Sequence, residues 1–379
     1  MGNMPESGTV KIANLVSKLK QEGRNVISFS MGEPDFPTPE NIREAAKRAL
    51  DEGFTHYTPS AGIPELRELV AEKSVKENNI PCTASNVLIT PSKHAIFMSM
   101  LAMVDEGDEV IIPDPAWGTY DASIRLAGGK PTYAVLEEDN GFRMNPEVLA
   151  ELITPRTSMI VVNSPSNPAG SVFERDDIKG IADLAKDHDL TILSDEVYEH
   201  IIYEGEPISM ASVDGMFERT ITVNGFSKTY AMTGWRLGWL VAPPAIFKEF
   251  SKLQSHSVTC GVSFAQKGAV EALKGPQDSV ASMKEEFRIR RDLVCDLIDE
   301  IPSLHCARPK GAFYIFPSYD FEMNSEDFCT YLLENANVGV TPGTAFGPNS
   351  EGHFRISYAA SREALEEGLI RIKEALSRL

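Results

Sequence analysis

Short apolar, β-rich runs that end abruptly in polar or turn residues recur along the first two thirds of the chain. They are VLIT (Val87–Thr90), EVIIP (Glu109–Pro113), MIVVN (Met159–Asn163), LTILSD (Leu190–Asp195), TITVNGF (Thr220–Phe226) and LGWLVAP (Leu237–Pro243). Most are separated by stretches with helical periodicity, such as Ile178–His188. Short apolar strands alternating with helices predict βαβ units, and so an α/β fold whose mostly parallel sheet is covered by helices on both faces. Only the gap between the last two runs is too short for a helix, so that pair is expected to be antiparallel.

Beyond about residue 280 the pattern changes. Ser282–Ile301 and Arg362–Leu379 have amphipathic helical spacing, with Leu365, Leu369, Ile372 and Leu376 on one stripe. Between them GAFYIFP (Gly311–Pro317) and HFRISYA (His353–Ala359) read as strands. The expected organisation is a large domain over 41–280 and a smaller α+β domain over 281–379. Residues 1–40, with one helical stretch at Ile12–Glu22, are expected to pack on the smaller domain. A length of 379 residues also exceeds the usual size of one compact core.

Composition narrows the function classes. Lys+Arg 36 against Asp+Glu 55 leaves a net charge of −19, which would repel nucleic acid and anionic membranes. Cys82, Cys260, Cys295, Cys306 and Cys329 are scattered and odd in number, without metal-ligand spacing. Neither a disulfide framework nor a metal site is expected, and reduced thiols fit a cytoplasmic protein. No basic stretch leads into an apolar core near the N-terminus, so no secretory leader is expected. No run of about eighteen apolar residues offers a membrane span.

In open α/β sheets ligands bind beyond the carboxyl ends of the strands, so the residues after each run carry the candidate chemistry. VLIT leads to Pro91, Ser92 and Lys93, and EVIIP to Asp114, Pro115, Ala116 and Trp117. MIVVN leads to SPSNPAG with Asn167, LTILSD ends in Asp195 and is followed by Tyr198, and TITVNGF runs into Ser227 and Lys228, with Arg236 downstream. A lysine, an arginine, an aspartate, an asparagine, a tyrosine and a tryptophan at one sheet edge suit a flat aromatic aldehyde bearing a phosphate. Plainer readings exist: Asp195 could cap a helix starting there, and Asn167 before proline could be a turn residue.

NGFSKTYAMTGWRLGW (Asn224–Trp239) resembles the cofactor-lysine signature of the class I/II aminotransferases, a fold-type I family. SPSNPAG, SDEVY, GEPDF near the start, HYTPSAGIPELRE and RISYA resemble further blocks of that family in the expected order, so the resemblance spans nearly the whole chain. It implies pyridoxal 5'-phosphate held by Lys228 as a Schiff base, with Lys228 later shuttling the α-proton. It implies Asp195 beside the pyridine nitrogen, and Asn167 and Tyr198 donating to the ring's phenolic oxygen. Arg236, Ser227 and the backbone amides of Ser92 and Lys93 are the implied phosphate ligands, although Pro91 replaces the family's usual glycine. Trp117 is the implied aromatic on the ring face. Tyr57 would reach the phosphate of a neighbouring subunit, which makes a homodimer with shared active sites the expected assembly. Arg355 and the N–H of Gly32 are the implied clamp for the substrate α-carboxylate.

Lys93 and Thr9 resemble the pair that reads acidic substrates in the bacterial and archaeal aspartate aminotransferase branch. The activity implied is transfer of an amino group from aspartate or glutamate to a 2-oxoacid. Aromatic or alanine donors, and a carbon–sulfur lyase or aminocyclopropane-carboxylate synthase with the same cofactor residues, are the alternatives. A cofactor-sensing transcription regulator is disfavoured by the absence of a helix-turn-helix pattern and by the acidic charge.

Overall fold

The computed structural model describes residues 8–379, with side chains from residue 14 onward. The chain opens with α1 (Gly8–Gln21), β1 (Ile27–Ser28), α2 (Glu40–Asp51) and α3 (Pro64–Asn78). The sheet-forming stretch then runs β2 (Val87–Ile89), α4 (Ser92–Met103), β3 (Glu109–Asp114), α5 (Thr119–Ala127), β4 (Lys130–Val135), α6 (Pro146–Leu152), β5 (Thr157–Asn163), α7 (Arg175–Asp187), β6 (Thr191–Asp195), β7 (Thr220–Gly225), α8 (Phe226–Thr229) and β8 (Gly238–Val241). After it come α9 (Pro244–Ser257), α10 (Ser263–Lys274), α11 (Asp278–Asp299), β9 (Leu304–His305), β10 (Tyr314–Ile315), β11 (Ser318–Tyr319), α12 (Ser325–Asn335), β12 (Val338–Gly339), β13 (Thr341–Pro342), β14 (Phe354–Ser357) and α13 (Arg362–Leu376).

The main sheet has the order β2-β8-β7-β6-β5-β3-β4. β8 pairs antiparallel with both neighbours, as the short spacing before it requires, and the other pairings are parallel. Two features depart from the sequence expectation. β4 closes one edge although its sequence, KPTYAV, gave no strand signal: of its residues only Ala134 is buried, because an edge strand needs no continuous apolar run. No helix begins after Asp195. Turns follow instead, because Glu196 is drawn inward to accept from Ser194 Oγ and Ser209 Oγ, both at 2.8 Å.

Both faces of the sheet are covered, as a parallel sheet demands. Along β3, Val110 and Ile112 pack with Ala95 and Ile96 of α4, Ile124 of α5 and Phe250 of α9. Ile111 points the other way, toward Ile178 and Ile181 of α7. A separate core joins Phe29, Phe287, Phe313, Phe328, Phe354 and the α13 stripe. Ser361 caps α13 by accepting from Ala364 N, and Leu365, Leu369, Ile372 and Leu376 are all buried on its inner face. Each such side chain contributes roughly 1.5–3 kcal/mol on burial. β1 joins this part by pairing in parallel with β12, Ile27 opposite Val338. Among the described residues no helix is long and apolar enough to cross a membrane, and no cluster could hold a metal ion.

Candidate active site

The carboxyl ends of β2, β5, β6 and β7 open onto a cavity of about 320 Å³. Lys228, Asp195, Tyr198, Asn167, Ser227, Arg236, Ser92, Lys93, Trp117, Gly32 and Arg355 all line it. Most of these residues follow main-sheet strands distant in sequence, whose ends the parallel topology brings to one edge, while Gly32 and Arg355 arrive from outside that sheet.

β7 delivers Lys228 into the first turn of α8. Its Nζ donates to the Gly32 carbonyl at 2.6 Å and lies 5.9 Å from the centre of the Tyr198 ring. Burial pushes the ammonium down to about 8, opposed by the Glu33 carboxylate and reinforced by Arg355. At pH 7 that leaves about a tenth of the amine neutral, against a negligible fraction for an ordinary lysine. Gly32 must be a glycine here, since a Cβ would sit 2.7 Å from the Tyr314 hydroxyl.

Asp195 closes the floor. It is 2% exposed, and burial lifts its carboxyl to about 6 even though Tyr120 donates to Oδ2 at 2.6 Å and lowers it. Asn163 ties the floor together, donating to the Asp195 carbonyl at 3.0 Å and accepting from the Asn167 amide at 3.0 Å. Tyr198 and Tyr314 share a hydrogen bond between hydroxyls at 2.8 Å.

Arg355 is 2% exposed on β14. One Nη donates to Asn167 Oδ1 at 2.9 Å and the other to the Ser30 carbonyl at 2.6 Å. Its guanidinium lies between two rings, 4.6 Å from the centre of Tyr314 and 4.8 Å from that of Phe346. Nε is buried with no partner. A buried donor without an acceptor is costly, and an anion in the cavity would remove that cost.

At the mouth, Lys93 Nζ stands 4.6 Å from the centre of the Trp117 ring. Partial burial, then repulsion from Arg236, lowers its affinity for a proton. Arg236 has a left-handed backbone, φ 54°, and donates to the Thr233 carbonyl at 2.8 Å. Ser92 spends its hydroxyl on the Asn224 carbonyl at 2.9 Å, so what it offers the cavity is its backbone N–H in the first turn of α4. Pro91 precedes that turn, where a missing donor costs nothing.

Tyr57 is 87% exposed and does not line this chain's cavity. The Thr9 side chain lies outside the described residues. Sequence reasoning missed Tyr120, Asn163, Tyr314 and Glu33. Tyr120 had a signal, since it follows Trp117 by one helical turn, and their rings meet edge to face at 5.9 Å. Tyr314 lies inside a predicted strand and Asn163 at the end of another, where a polar residue within the run carries no local mark of a ligand.

The model of aminotransferase class I and II matches residues 24–372 of the chain. An aspartate aminotransferase of Pyrococcus abyssi is 47% identical over 93% of this chain and 92% of its own length. An aromatic-amino-acid aminotransferase 2 of Thermococcus litoralis is 45% identical over 94% and 93%. Among solved structures, the aspartate aminotransferase of Thermus thermophilus with maleate superposes with a TM-score of 0.95 at 40% identity, covering 98% of this chain and 97% of that one.

Proposed function

This chain belongs to the aminotransferase class I and II family and is an aminotransferase; from that premise we propose that it uses pyridoxal phosphate to move the amino group of aspartate or glutamate onto a 2-oxoacid. The observation that carries the reading is Lys228, a lysine with a depressed proton affinity facing Asp195 and Arg355 across one cavity. The orphaned Nε of Arg355 and the unpartnered first-turn amides of α4 make the donor set fit a ligand that carries anionic groups.

When bound, the cofactor supplies an aldehyde and an aromatic ring that withdraws electrons from the substrate's Cα. Lys228 Nζ would hold it, and once displaced by the substrate's amino group would be the base that moves the Cα proton near neutral pH. Asp195 would hold a proton at the ring nitrogen. Asn167 uses Oδ1 for Arg355, so its Nδ2 is what it, together with Tyr198, would offer the phenolic oxygen. Ser92 and Lys93 amides, Ser227 and Arg236 would take the phosphate, and Trp117 would pack on the ring. Arg355 and the Gly32 N–H orient the α-carboxylate, and that orientation fixes which bond at Cα breaks.

Acidic specificity is supported by Lys93 at the mouth and by relatives named aspartate aminotransferase, one solved with maleate, a dicarboxylate. An aromatic side chain is the second reading, favoured by the similarity to an aromatic-amino-acid aminotransferase and by Met31, an adaptable apolar side chain 48% exposed at the mouth. Exposed Tyr57 supports a homodimer in which it enters the neighbour's site. The separate core around Phe287 and Phe354 supports a division into 41–280 and a second unit of 1–40 with 281–379.

The test is amino-group transfer itself. Aspartate with 2-oxoglutarate should give glutamate, faster than any aromatic or aliphatic donor gives it. Consumption of aspartate without an acceptor and without a new amino acid would indicate a lyase instead.

A further inference from the structure

β13 and β14 form a hairpin: Thr341 pairs with Arg355 and Pro342 with Phe354. Residues 343–353 are therefore the loop of the hairpin whose second strand carries Arg355. Within its own part of the fold that loop is held by Ser325 Oγ, 3.2 Å from Thr344 Oγ1, and by Tyr319 N, which donates to the Gly352 carbonyl at 3.1 Å; its hold on the main sheet is different. Asp114, the last residue of β3 in the main sheet, grips it. Asp114 is 1% exposed and takes part in no ion pair among the described residues. Its Oδ1 accepts from Ser350 Oγ at 2.8 Å, and its Oδ2 accepts from Asn349 N at 3.0 Å and Asn349 Nδ2 at 2.8 Å. Two residues on, Ala116 N donates to the Phe346 carbonyl at 2.7 Å. Gly347 has φ 154°, and a Cβ there would overlap the Asp114 carboxylate. The loop backbone thus closes directly onto the carboxylate, in a conformation that favours glycine.

A buried carboxylate without a counter-charge is expensive and persists only when its hydrogen bonds are satisfied. Here all the donors come from one loop, and that loop presents Phe346 to the guanidinium of Arg355. The hairpin strand also meets the site through Arg355 on Asn167 Oδ1 at 2.9 Å, and its neighbour β10 through Tyr314 on Tyr198 at 2.8 Å; the Asp114 anchor adds a third tie at the loop end.

We propose that Asp114 is a positioning residue for substrate binding: by anchoring loop 346–350 to the end of β3, it sets Phe346 against Arg355 and fixes the carboxylate clamp relative to Lys228 and Asp195. It touches neither substrate nor cofactor. The inference rests on the reading of Arg355 as the clamp.

The test uses holoenzyme. Asp114→Asn keeps the shape but turns an amide toward the donors of Asn349 or Ser350. It should raise KM for aspartate, and the Kd of succinate as an unreactive dicarboxylate, on the order of ten- to a hundred-fold. Cofactor Kd and kcat should stay near wild type. A parallel loss of cofactor affinity, or KM within about twofold of wild type, overturns the proposal. Should Asp114→Asn not fold, Ser350→Ala and Phe346→Leu leave Asp114 intact and should still raise KM and succinate Kd without moving cofactor Kd; unchanged values overturn it equally. Failure of the underlying reading looks different: Arg355→Lys would then leave succinate binding unaffected.

Discussion

Tyr120 donates its phenolic proton to Asp195 Oδ2 at 2.6 Å, and both groups are buried. This is the shortest support the carboxylate has, because Val197 N reaches Oδ1 only at 3.4 Å. Burial raises Asp195 to about 6, and the Tyr120 bond opposes that rise. A folded value above the ordinary 3.8 means that the folded apoprotein keeps a proton the unfolded chain has lost. This residue's contribution to stability therefore falls as pH rises from about 4 to about 6.

Tyr120→Phe removes the opposing bond. The midpoint below which cofactor affinity declines on acidification should move up by about one pH unit, the effect of one charge-assisted hydrogen bond. Titrating cofactor Kd against pH for wild type and variant checks this. An unmoved midpoint would mean that Tyr120 only fills space.

For Lys228 the sign runs the other way. Its folded value, about 8, lies below the ordinary 10.5, so between those two pH values the unfolded chain binds more protons and stability from this residue rises with pH. The neutral amine is also the reactive form. The rate at which apoprotein takes up cofactor should therefore climb with pH and level off above about 8. A rate still climbing steeply past pH 9 would place Lys228 among ordinary lysines, with a value near 10.4.

Substrate choice is tested at the mouth. Lys93→Ala should lower kcat/KM for aspartate roughly 10–100-fold, the worth of a charge-assisted hydrogen bond, and leave phenylalanine nearly unchanged. An equal loss for every donor would assign Lys93 to the cofactor alone.

The legibility of the fold followed burial. Strands buried on both faces announced themselves as apolar runs, whereas β4, half-exposed at the edge, did not. The α13 stripe was plain because Leu365, Leu369 and Ile372 recur at helical spacing on a face that packs inward. In the site, residues inside recognisable blocks were legible. Asp114 was visible only as a residue after a strand, since its partners Asn349 and Ser350 lie 235 and 236 residues away and nothing local marks the contact. Tyr198 was read for the cofactor, but its bond to Tyr314 could not be foreseen for the same reason.

The proposed homodimer with shared sites makes a prediction about mixtures. Lys228→Ala and Tyr57→Phe proteins, each weak alone, should regain activity when their subunits are exchanged, because one site of the hybrid has neither defect. Lys228→Ala mixed with Arg355→Ala should stay near zero, since both residues line the same cavity of one chain. Recovery in the second mixture and not the first would reverse the subunit assignment.

Reduction of the holoenzyme with borohydride, followed by peptide mapping, tests the central claim most directly. The account predicts one modified peptide carrying the cofactor on Lys228, and none in Lys228→Ala. Label on another lysine, or no label at all, would contradict it.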